Sequence, residues 1–260
     1  KKKMKLLALG DIVSNSGCEF VRKKLPGLKK LYNIDVCIAN GENSATGNGI
    51  IPFSADYLFA SGVDIITTGN HVFKRAEIQA YLDDRTDIIR PYNMHKSVPG
   101  RGVTSLDMGS YRIGIINLIG TAYTNSSFAN PFDSLDEAIK EIEDCKIKVV
   151  DFHAESTGEK RALAIYADSR VSAFFGTHTH VQTADAQILP GGTGYITDLG
   201  MCGSANSVLG VESECVISAL KTGLPTRFKA CESNIQLDGC IFEIDEKTGL
   251  TVSAEPISIK

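Results

Sequence analysis

Residues 171–180 read VSAFFGTHTH. The first six form a largely apolar run that closes on Gly176, and His178 and His180 follow with one residue between them. A run without apolar/polar alternation predicts a strand buried on both faces. Similar runs lie at 5–9, 35–39, 63–67, 111–118 and 146–152. Between and after them, helical patterns occupy 18–32, 54–61, 74–82, 134–145, 158–168 and 211–221. Pro26 should kink or split the first of these, and Ser54 is a candidate cap for the second, which stops at Gly62. Residues 239–244 and 250–256 predict a hairpin around 246–249. Strands alternating with helices, followed by extra strands, predict an α/β sandwich with mixed sheets in one domain over 1–260. In such sheets, sites gather where strands end.

Working outward from His178 and His180, the other early strands end in the same way. They run into Gly10-Asp11, into Asn40-Gly41-Glu42-Asn43, into Gly69-Asn70-His71, and into Asp151-Phe152-His153-Ala154-Glu155. Five successive strand ends deliver Asp, Glu, Asn or His. Carboxylate, amide oxygen and imidazole suit Mn, Fe or Zn, and the lack of thiolate argues against a structural zinc site. A shared carboxylate bridges two ions about 3.5–4 Å apart, and such a pair activates a water and clamps a phosphoryl oxygen. In extended backbone His178 and His180 would point to the same side, one for each ion.

Composition narrows the alternatives. The chain has 260 residues, 43% apolar and 22% charged, with net charge −4. That supports a sizeable core and excludes a disordered polyelectrolyte. No apolar run is long enough for a membrane helix. An acidic balance argues against a dedicated nucleic-acid surface, and so against a nuclease reading. Seven cysteines without metal-type spacing predict reduced thiols and a cytoplasmic location. No GxSxG is present for a serine hydrolase. Lys1–Lys3 reads as a disordered tail, and the basic residues Arg22, Lys23, Lys24, Lys29 and Lys30 as a solvated helix face.

The motifs Gly10-Asp11, Gly41-Glu42-Asn43, Gly69-Asn70-His71, His153 and Gly176-Thr177-His178-Thr179-His180 resemble, in order, those of the metallophosphoesterase superfamily. The stretches GDIV, IANGENSATGNGI, TTGNHVF, DFHAESTGEKRA, FGTHTHVQTAD and YITDLGMCGSANSVLG look like its YmdB-type branch of bacterial 2′,3′-cyclic-nucleotide phosphodiesterases. The resemblance covers nearly the whole chain, from residue 5 to about 242. It implies a four-layer α-β-β-α sandwich with two mixed sheets, the calcineurin-like fold. The usual Asp-x-His of the first motif is Asp11-Ile12-Val13 here, with Asn43 as the implied substitute and Glu42 as the bridging acid. The resemblance then implies one ion on Asp11, Glu42, Asn43 and His180, and a second on Glu42, Asn70, His153 and His178. Iron or manganese is the implied pair, with zinc as an alternative. The resemblance further implies that a hydroxide held between the ions would attack phosphorus, with His71 as the general acid or as a holder of the phosphate. The implied partner is a small cyclic nucleotide or other phosphodiester, with no membrane, and a homo-oligomer is compatible with it. The contrasting reading is a non-enzymatic scaffold that keeps the fold and metal site.

Other residues read more plainly. His95 is expected as a surface or core residue. Asp151 and Glu155 are expected behind or beside the site, and Asp198 either orients a histidine or makes a turn. Ser44 and Thr46 are expected at the substrate edge. Cys202 reads as a small buried side chain.

Overall fold

Alternate residues of the first strand enter two different cores. In the computed structural model, which describes residues 3–124 and 127–260, Leu7 and Leu9 of β1 (Lys3–Leu9) pack in one apolar cluster, while Met4, Leu6 and Ala8 pack in another. This two-sided burial is the physical meaning of the unbroken apolar run.

β1 lies in a seven-stranded sheet with β2 (Asp11–Ile12), β3 (Val36–Asn40), β4 (Ile65–Thr67), β11 (Met201–Ser204), β12 (Ile235–Asp245) and β13 (Thr251–Ile259). β1, β3 and β4 are parallel; β12 runs antiparallel to β1, β11 and β13. A six-stranded sheet has the order β5 (Val103–Asp107), β6 (Arg112–Ile119), β7 (Ile147–His153), β8 (Ala173–Thr177), β10 (Gly194–Ile196) and β9 (Gln187–Ile188). Its edge strands are antiparallel and its inner strands parallel, so both sheets are mixed.

The middle cluster joins Met4, Leu6 and Ile38 of the first sheet to Ile115, Val149 and Phe175 of the second. The outer face of the first sheet packs on Val21 and Leu25 of α1 (Ser14–Tyr32) and Leu58 of α2 (Pro52–Ala60). The outer face of the second packs on Leu135 and Ala138 of α4 (Pro131–Glu141) and Leu163 and Ala164 of α5 (Thr157–Ala167). The result is the expected four-layer α-β-β-α sandwich. α3 (Ile78–Asp84) adds Ile78 and Leu82 to the first outer core, and the hairpin forms as β12 and β13.

Several local expectations are corrected. Pro26 does not split α1, which is continuous from Ser14. Pro26 lies on the exposed face, where the freed carbonyl is open to solvent, while Val21, Leu25 and Leu28 anchor the buried face. Ser54 is not the cap of α2 but its third residue, where its Oγ accepts the N–H of Ile51 at 3.2 Å. α3 starts four residues late because the chain over 71–77 runs in tight turns, with the Lys74 N–H on the His71 carbonyl at 3.0 Å and the Gln79 N–H on the Ala76 carbonyl at 3.1 Å. Lys3 belongs to β1; Lys1 and Lys2 lie outside the described residues. Among the described residues no helix is long and apolar enough to cross a membrane.

Candidate functional site

The carboxyl ends of β1, β3 and β4 meet those of β7 and β8, and polar bonds join the two sheets there. The N–H of Thr68 donates to Asn117 Oδ1 at 3.0 Å, and Asn40 Nδ2 lies 3.3 Å from His153 Nδ1. Gly69 permits this closeness: a Cβ there would stand 2.2 Å from the His153 ring. Its glycine requirement is steric approach rather than an unusual turn.

All eight strand-end residues come together. The Glu42 carboxylate is fully buried; Oε2 accepts the His71 N–H at 2.8 Å, and Oε1 lies 3.1 Å from His153 Nε2. His153 Nε2 also faces Asn70 Oδ1 and His178 Nδ1, each at 3.0 Å. Glu42, His153 and His178 form a possible metal-binding cluster, their ligand atoms lying within 4.8 Å of one another. On the other side of Glu42, Asp11 Oδ1 is 3.5 Å from His180 Nε2 and is buried without a hydrogen-bond partner. Asp11 Oδ2 accepts the His178 N–H at 2.9 Å. Asn43 bridges the halves: Nδ2 is 3.5 Å from His180 Nε2 and Oδ1 is 2.9 Å from His71 Nδ1. The oxygen of Asn43 therefore faces His71 and its nitrogen faces His180, and a half-turn of the amide exchanges the two atoms.

Two carboxylates taken out of water demand positive charge nearby. Burial alone would raise both, but His180 and His153 beside Asp11, and His153 and His71 beside Glu42, hold them below the usual range. Burial disfavours the His180 cation, yet Asp11 lifts it to about 9. His153 is also raised, Glu42 outweighing burial, whereas burial and the neighbouring His153 lower His178 to about 4.

His178 and His180 do not reach the centre from extended backbone, as their spacing suggested. β8 ends at Thr177, and both histidines are left-handed, with φ of 103° and 63°. The loop is over-determined by Asp198, whose Oδ2 accepts the Thr179 N–H at 3.1 Å and the ammonium of buried Lys160 at 2.7 Å. Its Oδ1 accepts the Gly200 N–H at 2.9 Å. Asp198 thus both orients the histidine loop and closes a turn.

Each of these three histidines also has its second nitrogen held. His180 Nδ1 is 2.9 Å from the Leu209 carbonyl, and His178 Nε2 is 3.1 Å from Glu155 at the rim. His153 Nδ1 is 2.9 Å from Thr177 Oγ1, which donates to Asp151 Oδ1 at 2.7 Å. With the Thr177 proton on Asp151, Thr177 Oγ1 is left to accept from His153 Nδ1–H, and Nε2 is the nitrogen turned inward. Burial pushes Asp151 up to about 7 against the hydrogen bonds from Thr67 and Thr177. Sequence reasoning missed Thr177, Asn40, Lys160 and the Leu209 carbonyl. The i, i+2 placement of Asp151 and His153 on one strand face was the available signal for the Thr177 relay.

The remaining expectations separate. His95 is not among the residues lining the cavities at the cluster; it is bonded to Ser97 beside a separate cavity with Tyr92 and Glu137. Ser44 donates to Ser54 at 2.9 Å, turned toward α2 rather than toward a substrate. Cys202 is fully buried and its thiol is pushed well up by desolvation, as an inert core side chain. Lys29 of the basic helix face pairs with Asp64 at 2.9 Å.

A cavity of about 240 Å³ opens over Glu42, Asn43, His71, His178 and His180. A second, of about 410 Å³, adjoins it at His71 and His180, and a third, of about 390 Å³, lies beyond His153 and His178.

A family model described as YmdB-like protein matches residues 7–257. The chain is 41% identical, over 98% of its length and 97% of the relative's, to a Bacillus subtilis protein named 2′,3′-cyclic-nucleotide 2′-phosphodiesterase. It superposes with a TM-score of 0.94 and 36% identity on a crystal structure described as a novel phosphatase of Mycoplasma pneumoniae, covering 99% of this chain and 94% of that one. A Haemophilus influenzae NAD nucleotidase shares the fold alone, with a TM-score of 0.64 and 13% identity over 99% of this chain and 56% of that one. The order of strand-end polar groups, the two mixed sheets and the match over residues 7–257 agree: the chain belongs to the YmdB-like family.

Proposed function

We propose that this protein is a two-metal phosphodiesterase acting on 2′,3′-cyclic nucleotides. Phosphodiesterase or phosphatase activity follows from the family, in which a relative 41% identical carries a phosphodiesterase name. The finer reading is carried by one observation: Glu42 Oε1, Asn70 Oδ1 and His178 Nδ1 converge on His153 Nε2, while Asp11 Oδ1, buried beside them, has no hydrogen-bond partner among the described residues. One proton cannot satisfy such a set, and divalent cations can. Asp11, Glu42, Asn43 and His180 would hold one ion; Glu42, Asn70, His153 and His178 would hold the other. Such a pair supplies an activated water and neutralises charge on the phosphoryl oxygens. Iron or manganese is proposed for both places, with zinc as the alternative.

The chain's own residues do the rest. Asn43 anchors His71 Nδ1, leaving Nε2 for the cavity over the centre. From there His71 delivers a proton to the ribose oxygen as its bond to phosphorus breaks. Glu42 fixes the same residue through the His71 N–H. Glu155 and Thr177 hold the imidazoles of His178 and His153 in place.

The test is turnover of 2′,3′-cyclic AMP, 3′,5′-cyclic AMP and bis-p-nitrophenyl phosphate after reconstitution with Mn or Fe. Preference for the 2′,3′-cyclic substrate supports the reading; preference for the 3′,5′-cyclic one overturns the substrate class. His71→Ala should keep its metal content and lose about 10²–10⁴-fold in turnover. Full turnover in that variant would remove the acid role.

A further inference from the structure

The 410 Å³ cavity beside the centre has an unusual wall. One side is Asn43, His71 and His180; the other is Leu209, Val211 and Phe228, from the segment between β11 and β12. Phe228 is 55% exposed and Leu209 45%, large apolar groups left open at the edge of a polar site. The wall is built rather than loose. Val211 bridges to both Val208 and Ala230, the Cys231 N–H donates to the Gly210 carbonyl at 2.8 Å, and the Glu212 N–H donates to the Lys229 carbonyl at 2.9 Å. The Leu209 carbonyl also holds His180 Nδ1, so the wall and the centre share one anchor.

We infer that this cavity is the nucleoside subsite, with Phe228 as the platform on which the base stacks; this rests on the reading of the protein as a 2′,3′-cyclic-nucleotide phosphodiesterase. The direction of the reaction selects the cavity. Water oxygen bonds to phosphorus on one side while the bond to a ribose oxygen breaks on the other, and that oxygen takes the proton from His71. The leaving oxygen stays on the sugar, so sugar and base must lie on the His71 side. His71 lines the 410 Å³ cavity; among the described residues lining the 390 Å³ cavity beyond His153 it is absent. The volume falls within the range of small-ligand pockets, about 300–1,000 Å³. An exposed aromatic face offers stacking, which every base can accept, so the subsite should favour nucleosides over bare phosphodiesters while discriminating weakly among bases.

The test compares 2′,3′-cyclic AMP with glycerol 1,2-cyclic phosphate, which keeps the five-membered cyclic diester and lacks the base. Stacking contributes about 1–3 kcal/mol per base, so Phe228→Ala should lose about tenfold in kcat/KM on the nucleotide, mainly through KM. The loss should be confined to the substrate that carries a base, and Phe228→Tyr should restore it. Equal losses on both substrates, or none on either, overturn the subsite. Adenosine binding to the metal-free protein, read by saturation-transfer NMR, judges the subsite without turnover. Binding that Phe228→Ala weakens supports it even if the wild type prefers another phosphodiester; equal binding by both proteins overturns it.

Discussion

Three imidazoles in the centre hold one nitrogen on the protein and turn the other inward: His153 on Thr177, His178 on Glu155 and His180 on the Leu209 carbonyl. The arrangement sets which nitrogen is available before any ligand arrives. Thr177 is the most demanding of these partners because it is fully buried and links His153 to Asp151. Thr177→Val keeps the volume and removes the acceptor, leaving the His153 Nδ1 proton facing only Asn40 Nδ2 at 3.3 Å, an amide nitrogen that cannot accept it. The expected result is a loss of about 10–100-fold in metal affinity, the usual effect of removing a partner that orients a ligand. Metal titration by calorimetry measures it, and Thr177→Ser should restore most of the affinity. Unchanged affinity in the valine variant would show that packing alone orients the ring. The identities of the eight inward-facing residues were legible as chemistry, since Asp, Glu, Asn and His at strand ends have few other reasons to cluster. Thr177 and the Leu209 carbonyl were not, because a hydroxyl and a backbone oxygen carry no signal of their own.

At the scale of elements, the loop from β8 to β9 carries two strained histidines and is tied at both ends. Asp198 holds its start through Thr179, and Asp185 holds its end. Asp185 accepts the Thr183 hydroxyl at 2.7 Å and the Thr197 N–H at 3.1 Å, and also the Thr197 hydroxyl. Burial raises this carboxyl, but the bonds from Thr197 and Thr183 outweigh it and hold it below its usual 3.8. A depressed carboxyl stabilises the fold above the unfolded pKa and loses that contribution as pH falls through the folded one. The stability gap between wild type and Asp185→Asn should therefore be widest near neutral pH and narrow below pH 3.8. Urea unfolding at a series of pH values checks the sign; a gap that widens on acidification would contradict it. The strands of this region were legible from apolar runs. The left-handed backbone at His178 and His180 was not, because it is imposed by Asp198 and Asp11 from other parts of the chain.

For the whole molecule, one sheet belongs to two cores. β1 contributes Leu7 and Leu9 outward and Met4, Leu6 and Ala8 inward, so neither core opens without disturbing the other. The centre lies across the two sheets, with Asp11 and Glu42 from one and His153 and His178 from the other. We propose that residues 1–260 unfold as one domain and that divalent metal shifts the entire transition. At a hundredfold excess over Kd, a ligand of the folded state adds about 2.7 kcal/mol. For a chain of this length that raises Tm by about 5–10 °C, and chelation reverses it. Calorimetry should show one transition moving as a unit on adding Mn; two transitions, only one of them metal-sensitive, would divide the chain.

By itself the sequence determined the layers and the kind of polar group that gathers at the strand ends. Unbroken apolar runs cannot be buried on one face only, and O/N donors repeated at strand ends select a hard or borderline cation over a thiolate site. Pro26 misled at that level because its effect depends on which side of α1 meets water. Tertiary structure alone decided how the two sheets close on the centre, which nitrogen each imidazole presents, and that Leu209, Val211 and Phe228 stand beside His71. Those relations join residues that are distant along the chain, and they arise from packing and backbone hydrogen bonds, which leave no local periodicity to read.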